Sequence, residues 1–202
     1  VPVKIEKVLE CNKNKTANNE KVGILACDIR TIEMLSHFLA ENGIKNKTLY
    51  GATPVASDAI TPECEEYELT REAIVKEFND LSSGLNVIIA NPFAVAESIS
   101  LHKACHNAIY IERSFNAAHF IQSKDRIHRY GLPPETVTNY YYLVSEDSID
   151  ETIDERLTIK ENRLIEIMES MPIPLFSNVV DEGGDEDVKA VLRDYARRIK
   201  TK

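Results

Sequence analysis

Leu85-Asn86-Val87-Ile88-Ile89-Ala90 is an unbroken run in which Val87, Ile88 and Ile89 are β-branched. An alternating pattern would leave one face to water, whereas an unbroken one reads as a strand buried on both faces, the mark of a parallel sheet with helices on either side. Towards the N-terminus, Val22-Gly23-Ile24-Leu25-Ala26-Cys27 is a second such run, and Asp28 stands where a helix N-cap would be. Ile32, Leu35, Phe38 and Leu39 then recur at helical spacing up to Asn42-Gly43, a stop signal. Lys47-Thr48-Leu49-Tyr50 is a weaker strand ended by Gly51. After a polar loop through Pro54 and Pro62, Thr70 is placed to cap a helix carrying Ala73, Ile74, Phe78 and Leu81. Towards the C-terminus, residues 108–111 and 137–144 are two further strands, separated by a helix over 116–129 that ends in Tyr130-Gly131-Leu132-Pro133-Pro134. Five strands separated by helices predict a doubly wound, mostly parallel α/β sheet, with ligands beyond the carboxyl ends of the strands. A long helix over about 149–171, stopped by Pro172 and Pro174, and a last one over 188–199 follow. Residues 1–148 thus read as the sheet domain and 149–202 as a helical extension.

The 202 residues suffice for a substantial core. No apolar run approaches the ~18 residues that a membrane span requires, and Val1-Pro2-Val3-Lys4 lacks the apolar core of a secretion signal. The expected setting is intracellular, a bacterial cytoplasm or its equivalent, with no membrane partner. Cys11, Cys27, Cys64 and Cys105 are scattered, without a C-x-x-C pair or ligand-like spacing to histidine, and read as reduced thiols rather than metal ligands. The net charge of −9 argues against binding nucleic acid by bulk electrostatics. Charge is uneven, however: acids crowd 58–80 and 181–187, while 102–131 carries Lys103, Arg113, Lys124, Arg126 and Arg129 against Glu112 and Asp125 alone.

Gln122, Arg126 and Arg129 stand at i, i+4 and i+7, which on a continuous helix project within a ~60° arc. Arginine keeps its proton, and its planar fork binds phosphate oxygens bidentately, so the trio suits a transferring phosphoryl group. Spacing alone favours the plainer reading, a solvated helix face whose arginines pair with nearby acids. His106, His119 and His128 read as surface or packing histidines, and Tyr140-Tyr141-Tyr142 as a strand rather than a base-stacking platform.

The surrounding sequence separates these readings. Gln122-Ser123-Lys124-Asp125-Arg126-Ile127-His128-Arg129-Tyr130-Gly131 resembles the final motif of superfamily-two helicases in its Swi/Snf-type form, Q-x-x-D-R-x-H-R-x-G. Phe115-Asn116 stands where that family has Trp-Asn-Pro, and residues 108–112 resemble its apolar strand ending in an acid. Asp147-Ser148-Ile149-Asp150-Glu151-Thr152-Ile153 is similar to its T-I-D-E-x-I segment, with Leu157 and Lys160 in matching places. The resemblance spans about residues 20–165. Arg71 and Phe78 match loosely a helix written R-x-x-x-I-x-x-F. One stretch departs: Val95-Ala96-Glu97-Ser98-Ile99-Ser100-Leu101 replaces a run with three glycines, whose lack of a side chain permits close backbone approach.

The resemblance implies the C-terminal RecA-like lobe of an ATP-dependent helicase or translocase, acting on nucleic acid and expected to prefer double-stranded DNA. It implies catalytic roles for Arg126, Arg129 and Gln122, and nucleotide contacts from Glu97, Ser98 and the two arginines. Gly51, Ala52, Thr53, Ser98 and Lys103 would contact nucleic acid. No G-x-x-x-x-G-K-[S/T] occurs, so the phosphate cradle is missing. The expectation is therefore that ATP with Mg2+ is bound mainly by an N-terminal RecA-like lobe of the same protein, and that a chain starting at Val1 is part of something longer. Two rivals remain: a non-catalytic interaction module on a degenerate lobe, and a doubly wound enzyme whose arginines bind a phosphorylated small molecule.

Overall fold

The computed structural model describes residues 2–57, 60–96, 100–128, 132–170 and 183–200. The elements run α1 (Val3–Ala17), β1 (Lys21–Leu25), α2 (Ile29–Glu41), β2 (Asn46–Leu49), a 3-10 turn (Glu65–Leu69), α3 (Arg71–Asn79), β3 (Val87–Ala90), α4 (Pro92–Ala96), β4 (Cys105–Tyr110), α5 (Ala117–Asp125), β5 (Asn139–Tyr142), α6 (Ile149–Ser170) and α7 (Gly183–Lys200). They fall into two compact units, residues 1–112 with 118–143, and residues 113–117 with 144–202. Pro172 and Pro174, expected to stop the long helix, lie outside the described residues.

The first unit is one sheet in the order β2-β3-β1-β4-β5 with every pair parallel, which is the doubly wound architecture expected. Alternation along the strands separates its two faces. Val22, Ile24, Val87, Ile89, Ile109 and Ile111 join Ile5 and Val8 of α1 and Ile32, Leu35 and Leu39 of α2 in one core. On the opposite face the Lys21 ammonium lies over the Phe78 ring of α3, and the Tyr110 hydroxyl meets Ser123 Oγ of α5 at 2.7 Å. A one-residue shift between Lys21/Val22 on β1 leaves His106 of β4 as the extra residue of a bulge.

Local signals act as read. Asp28 accepts from the Thr31 amide at the start of α2, and Thr70 from that of Ala73 at the start of α3. At the end of α2, Gly43 has φ 77°, and Ile44 N–H donates to Leu39 C=O, a closure that needs a residue tolerant of positive φ. Several elements differ from expectation: the 3-10 turn and α4 are additional, α3 stops at Asn79 before Leu81, β4 starts at Cys105 rather than 108 and α7 at Gly183 rather than 188. No element is expected before Val22, yet α1 forms; its buried stripe holds only Ile5, Val8 and the polar Asn12, so tertiary burial rather than pattern makes it. The last strand is Asn139–Tyr142 rather than 137–144, because it is an edge strand whose ladder with β4 runs only from Asn107↔Asn139 to Tyr110↔Tyr142. The helix expected over 116–129 stops at Asp125, where the Arg126 carbonyl leaves the helical ladder to accept from Leu101 N–H at 3.0 Å.

In the second unit, α6 and α7 are joined through Asp187, whose carboxylate accepts from Arg156 Nε at 3.1 Å and Lys160 Nζ at 2.6 Å. Arg113 pairs with Asp154.

Burial sets an alkaline limit on the fold. The Cys105 and Cys27 thiols are both pushed up from 9.0 to about 11 by burial, with the Glu112 carboxylate adding to the shift at Cys27. Tyr140 is likewise pushed up to about 12 by burial. The unfolded chain therefore releases these protons first, and stability should fall as pH rises from 9 towards 11. Lys21, held below its ordinary value by burial, acts in the opposite sense over the same range. Urea midpoints measured across this interval should fall, and less steeply in Cys105→Ala; a flat profile would contradict the burial assigned to these groups.

Candidate functional site

Sheet winding reverses at β1: the chain crosses to β2 on one side of it and from β3 to β4 on the other. In such sheets the crevice beside the reversal, at the carboxyl ends, is where phosphates sit on helix N-termini. Here a side chain fills it. Glu112, just past β4, accepts through Oε2 from Cys27 N–H at 3.0 Å and Asp28 N–H at 3.1 Å, and through Oε1 from Thr31 Oγ1 at 3.0 Å. Its negative charge at the start of α2 is favoured by the helix dipole. Asn91 completes the closure, donating through Nδ2 to Cys27 C=O at 2.8 Å and through its backbone to Leu49 C=O at 2.9 Å.

Along the same carboxyl edge lies the Gly51-Ala52-Thr53 loop. Gly51 and Ala52 are exposed and Thr53 half-buried. Thr53 N–H donates to Tyr50 C=O at 2.9 Å, and Tyr50 N–H donates back to Thr53 Oγ1 at 3.0 Å, so the turn is closed from both sides. Arg71, at the first position of α3, reaches across this turn with its guanidinium.

Arg126 is at the other edge, with Gln122 one turn before it on α5. A crossover helix between parallel strands runs antiparallel to them, so α5 starts at the carboxyl end of β4 and finishes at the amino end of the sheet. The Leu101–Arg126 hydrogen bond agrees, since Leu101 leads into the start of β4. Ile127 also packs there: a Cβ on Gly23 would lie 3.6 Å from its Cδ1. Gln122 is exposed on α5, and Arg126 is half-buried in the turn that follows. Lys103 is exposed in the turn entering β4, so it shares the amino edge with Arg126 and not the carboxyl edge with the Gly51–Thr53 loop. The ligand region expected beyond the carboxyl ends is therefore two regions on opposite edges. Arg129, Glu97 and Ser98 lie outside the described residues.

Other expected features resolve into packing. Tyr140 Oη donates to Lys124 C=O at 3.1 Å, Tyr141 Oη accepts from Lys15 Nζ at 2.9 Å, and Tyr142 lies against Tyr110 and Phe120. In the second unit, Lys160 Nζ donates to Phe115 C=O at 2.9 Å, which joins two of the segments that carry the helicase resemblance. Among the described residues no group of three or more His, Cys, Asp or Glu could hold a metal, and no helix is long and apolar enough to cross a membrane. Sequence reasoning missed Glu112 as the plug of the crevice and Arg71 as the loop's anchor. An acid directly after a buried strand was the one visible signal for the former.

No protein-family model matches the chain, and no curated protein does. A solved structure, the C-terminal part of the Fun30 ATPase domain, matches with a TM-score of 0.69 at 22% identity, over 98% of this chain and 54% of that one. The chain spans about half the length of that structure. The five-stranded, all-parallel sheet with its flanking helices is a RecA-like α/β fold of the kind found in that ATPase domain part.

Glu112→Ala should destabilise the first unit by about 2 kcal/mol, the cost of charge-assisted hydrogen bonds lost at a helix start. Glu112→Gln, which keeps an acceptor oxygen, should cost about half as much. Chemical denaturation compares them; equal stability of parent and Glu112→Ala would mean that the crevice is closed without the carboxylate.

Proposed function

We propose that this chain is the C-terminal RecA-like lobe of a Swi/Snf-type ATP-dependent helicase or translocase, working on double-stranded DNA. The carrying observation is that the Gln122–Arg129 motif belongs to a chain matched over 98% of its length by the C-terminal part of an ATPase domain. The crevice supports the same reading. With Cys27 and Asp28 N–H engaged by Glu112, the reversal point offers no free cradle for a phosphate, as suits a lobe that completes a site built elsewhere. That also weighs against the phosphorylated small-molecule enzyme, whose site would be this crevice.

ATP with Mg2+, held mainly by an N-terminal RecA-like lobe of the same protein, supplies the transferring phosphoryl group. From this chain, Arg126 and Arg129 direct guanidinium N–H donors at that group's oxygens and stabilise the charge developing on them, while Gln122 orients the arginines or the attacking water. All three are hydrogen-bond donors, the chemistry an anionic group requires. Glu97 and Ser98 complete the nucleotide side. At the carboxyl edge, Gly51, Ala52 and Thr53 meet a strand backbone; Ser98, and Lys103 from the amino edge, add contacts that read backbone rather than base sequence. Opening and closing of the two lobes then moves one set of contacts relative to the other.

In the intact protein, Arg126→Ala and Arg129→Ala should each lower ATP turnover ~10³-fold and leave duplex binding nearly unchanged, since arginine fingers act mainly in the transition state. Parent-like turnover in either variant would remove that arginine from catalysis. The 202-residue chain alone should bind ATP no better than about 1 mM and should not turn it over. Turnover by the chain alone would overturn the lobe assignment, and an intact protein inert towards ATP would favour the non-catalytic module.

A further inference from the structure

The turn at Tyr50–Thr53 is gripped from α3. Arg71 Nε donates to Thr53 C=O, and Nη2 donates to Tyr50 C=O and Gly51 C=O, each at 3.3 Å. Its backbone N–H donates to Pro54 C=O at 2.9 Å, and the next residue, Glu72, accepts from Ala56 N–H at 2.8 Å. The first turn of α3 thus binds five residues of the stretch from Tyr50 to Ala56. Thr70, which caps α3, is itself buried and tied through Oγ1 to Tyr67 C=O at 2.6 Å, so the gripping turn is anchored. The guanidinium interactions are all with carbonyls, which is the geometry of a fork used to shape backbone.

We propose that Arg71 is the positioning residue that holds the Tyr50–Pro54 loop in the form that meets a nucleic-acid backbone, so that the loop and α3 engage the strand as one rigid piece. The inference rests on the lobe reading above. Gly51 and Ala52 contribute no charge and no functional side chain, so what they offer a phosphate is backbone N–H in a set orientation. Such contacts depend on preorganisation, because ordering a free loop on binding consumes the affinity gained. Arg71 divides the Thr53 carbonyl and the Tyr50–Gly51 pair between two guanidinium nitrogens, Nε and Nη2, a spread that a lysine's single nitrogen does not reproduce.

The test uses the intact protein with Arg71→Gln and Arg71→Lys. In both variants the KM for duplex in duplex-stimulated ATP turnover should rise ~10-fold, while kcat at saturating duplex stays within about twofold. Hydrogen exchange should show the Tyr50 and Thr53 amides losing protection while those of Ile88 and Ile89 keep theirs, which separates loosening of the loop from unfolding of the sheet. The salt dependence of duplex binding should keep the parent's slope. Loop amides that stay protected in Arg71→Gln, or that open with no change in KM, would overturn the proposal. So would a slope lowered by about 1 in Arg71→Gln with Arg71→Lys behaving like the parent, since that identifies a direct phosphate contact. A parent whose turnover does not respond to duplex would overturn the lobe reading itself, and would be seen before any variant is made.

Discussion

Every strand of the first unit is placed by the pairing of β1 with both β3 and β4. β1 is buried along its whole length, and the chain winds away from it in both directions. Because the neighbours are parallel, each return needs a crossover helix, and right-handed crossovers put α2 on one face and α3 and α5 on the other. The position of α5 relative to the sheet edges follows. It can only begin at the carboxyl edge and end at the amino edge, and the Arg126–Leu101 hydrogen bond marks where it ends.

The same pairing creates a crevice at the point of reversal, with the N-terminus of α2 facing it. Glu112 answers the donors there with a carboxylate from β4's own continuation. The helix start that a nucleotide-binding sheet would turn towards a phosphate is used instead to bind β4 to β1. A fold built on this plan closes the reversal with its own side chain.

Two cations of this unit are held by backbone carbonyls, whereas Lys45 and Lys47 pair with Glu77. Lys21, almost wholly buried, donates to the carbonyls of Asp80 and Leu85 and to Ser83 Oγ, and Arg71 donates to those of Tyr50, Gly51 and Thr53. In the second unit Asp187 joins Arg156 and Lys160, and Lys160 donates to the Phe115 carbonyl as well. Carbonyl coordination gives a loop a fixed form without consuming an acid, whereas paired charges hold two helices whose backbones satisfy themselves.

Sequence by itself determined the elements whose signals are local. The unbroken β-branched run at Val87–Ala90, the caps at Asp28 and Thr70 and the stop at Asn42-Gly43 depend on residues within a few positions of one another, and the helicase-like motif at Gln122–Gly131 is likewise contiguous. Tertiary structure decided what depends on distant partners. The helix α1 forms because the sheet covers Ile5 and Val8, and α5 ends where Leu101 claims the Arg126 carbonyl. Lys103 and the Gly51–Thr53 loop are assigned to opposite edges by the direction of strands that neither belongs to. Glu112 and Arg71 act 81 to 85 and 18 to 21 residues from the groups they bind, and no period or spacing records such pairings, because a hydrogen bond between distant segments is set by where the chain returns and not by what surrounds either residue in sequence.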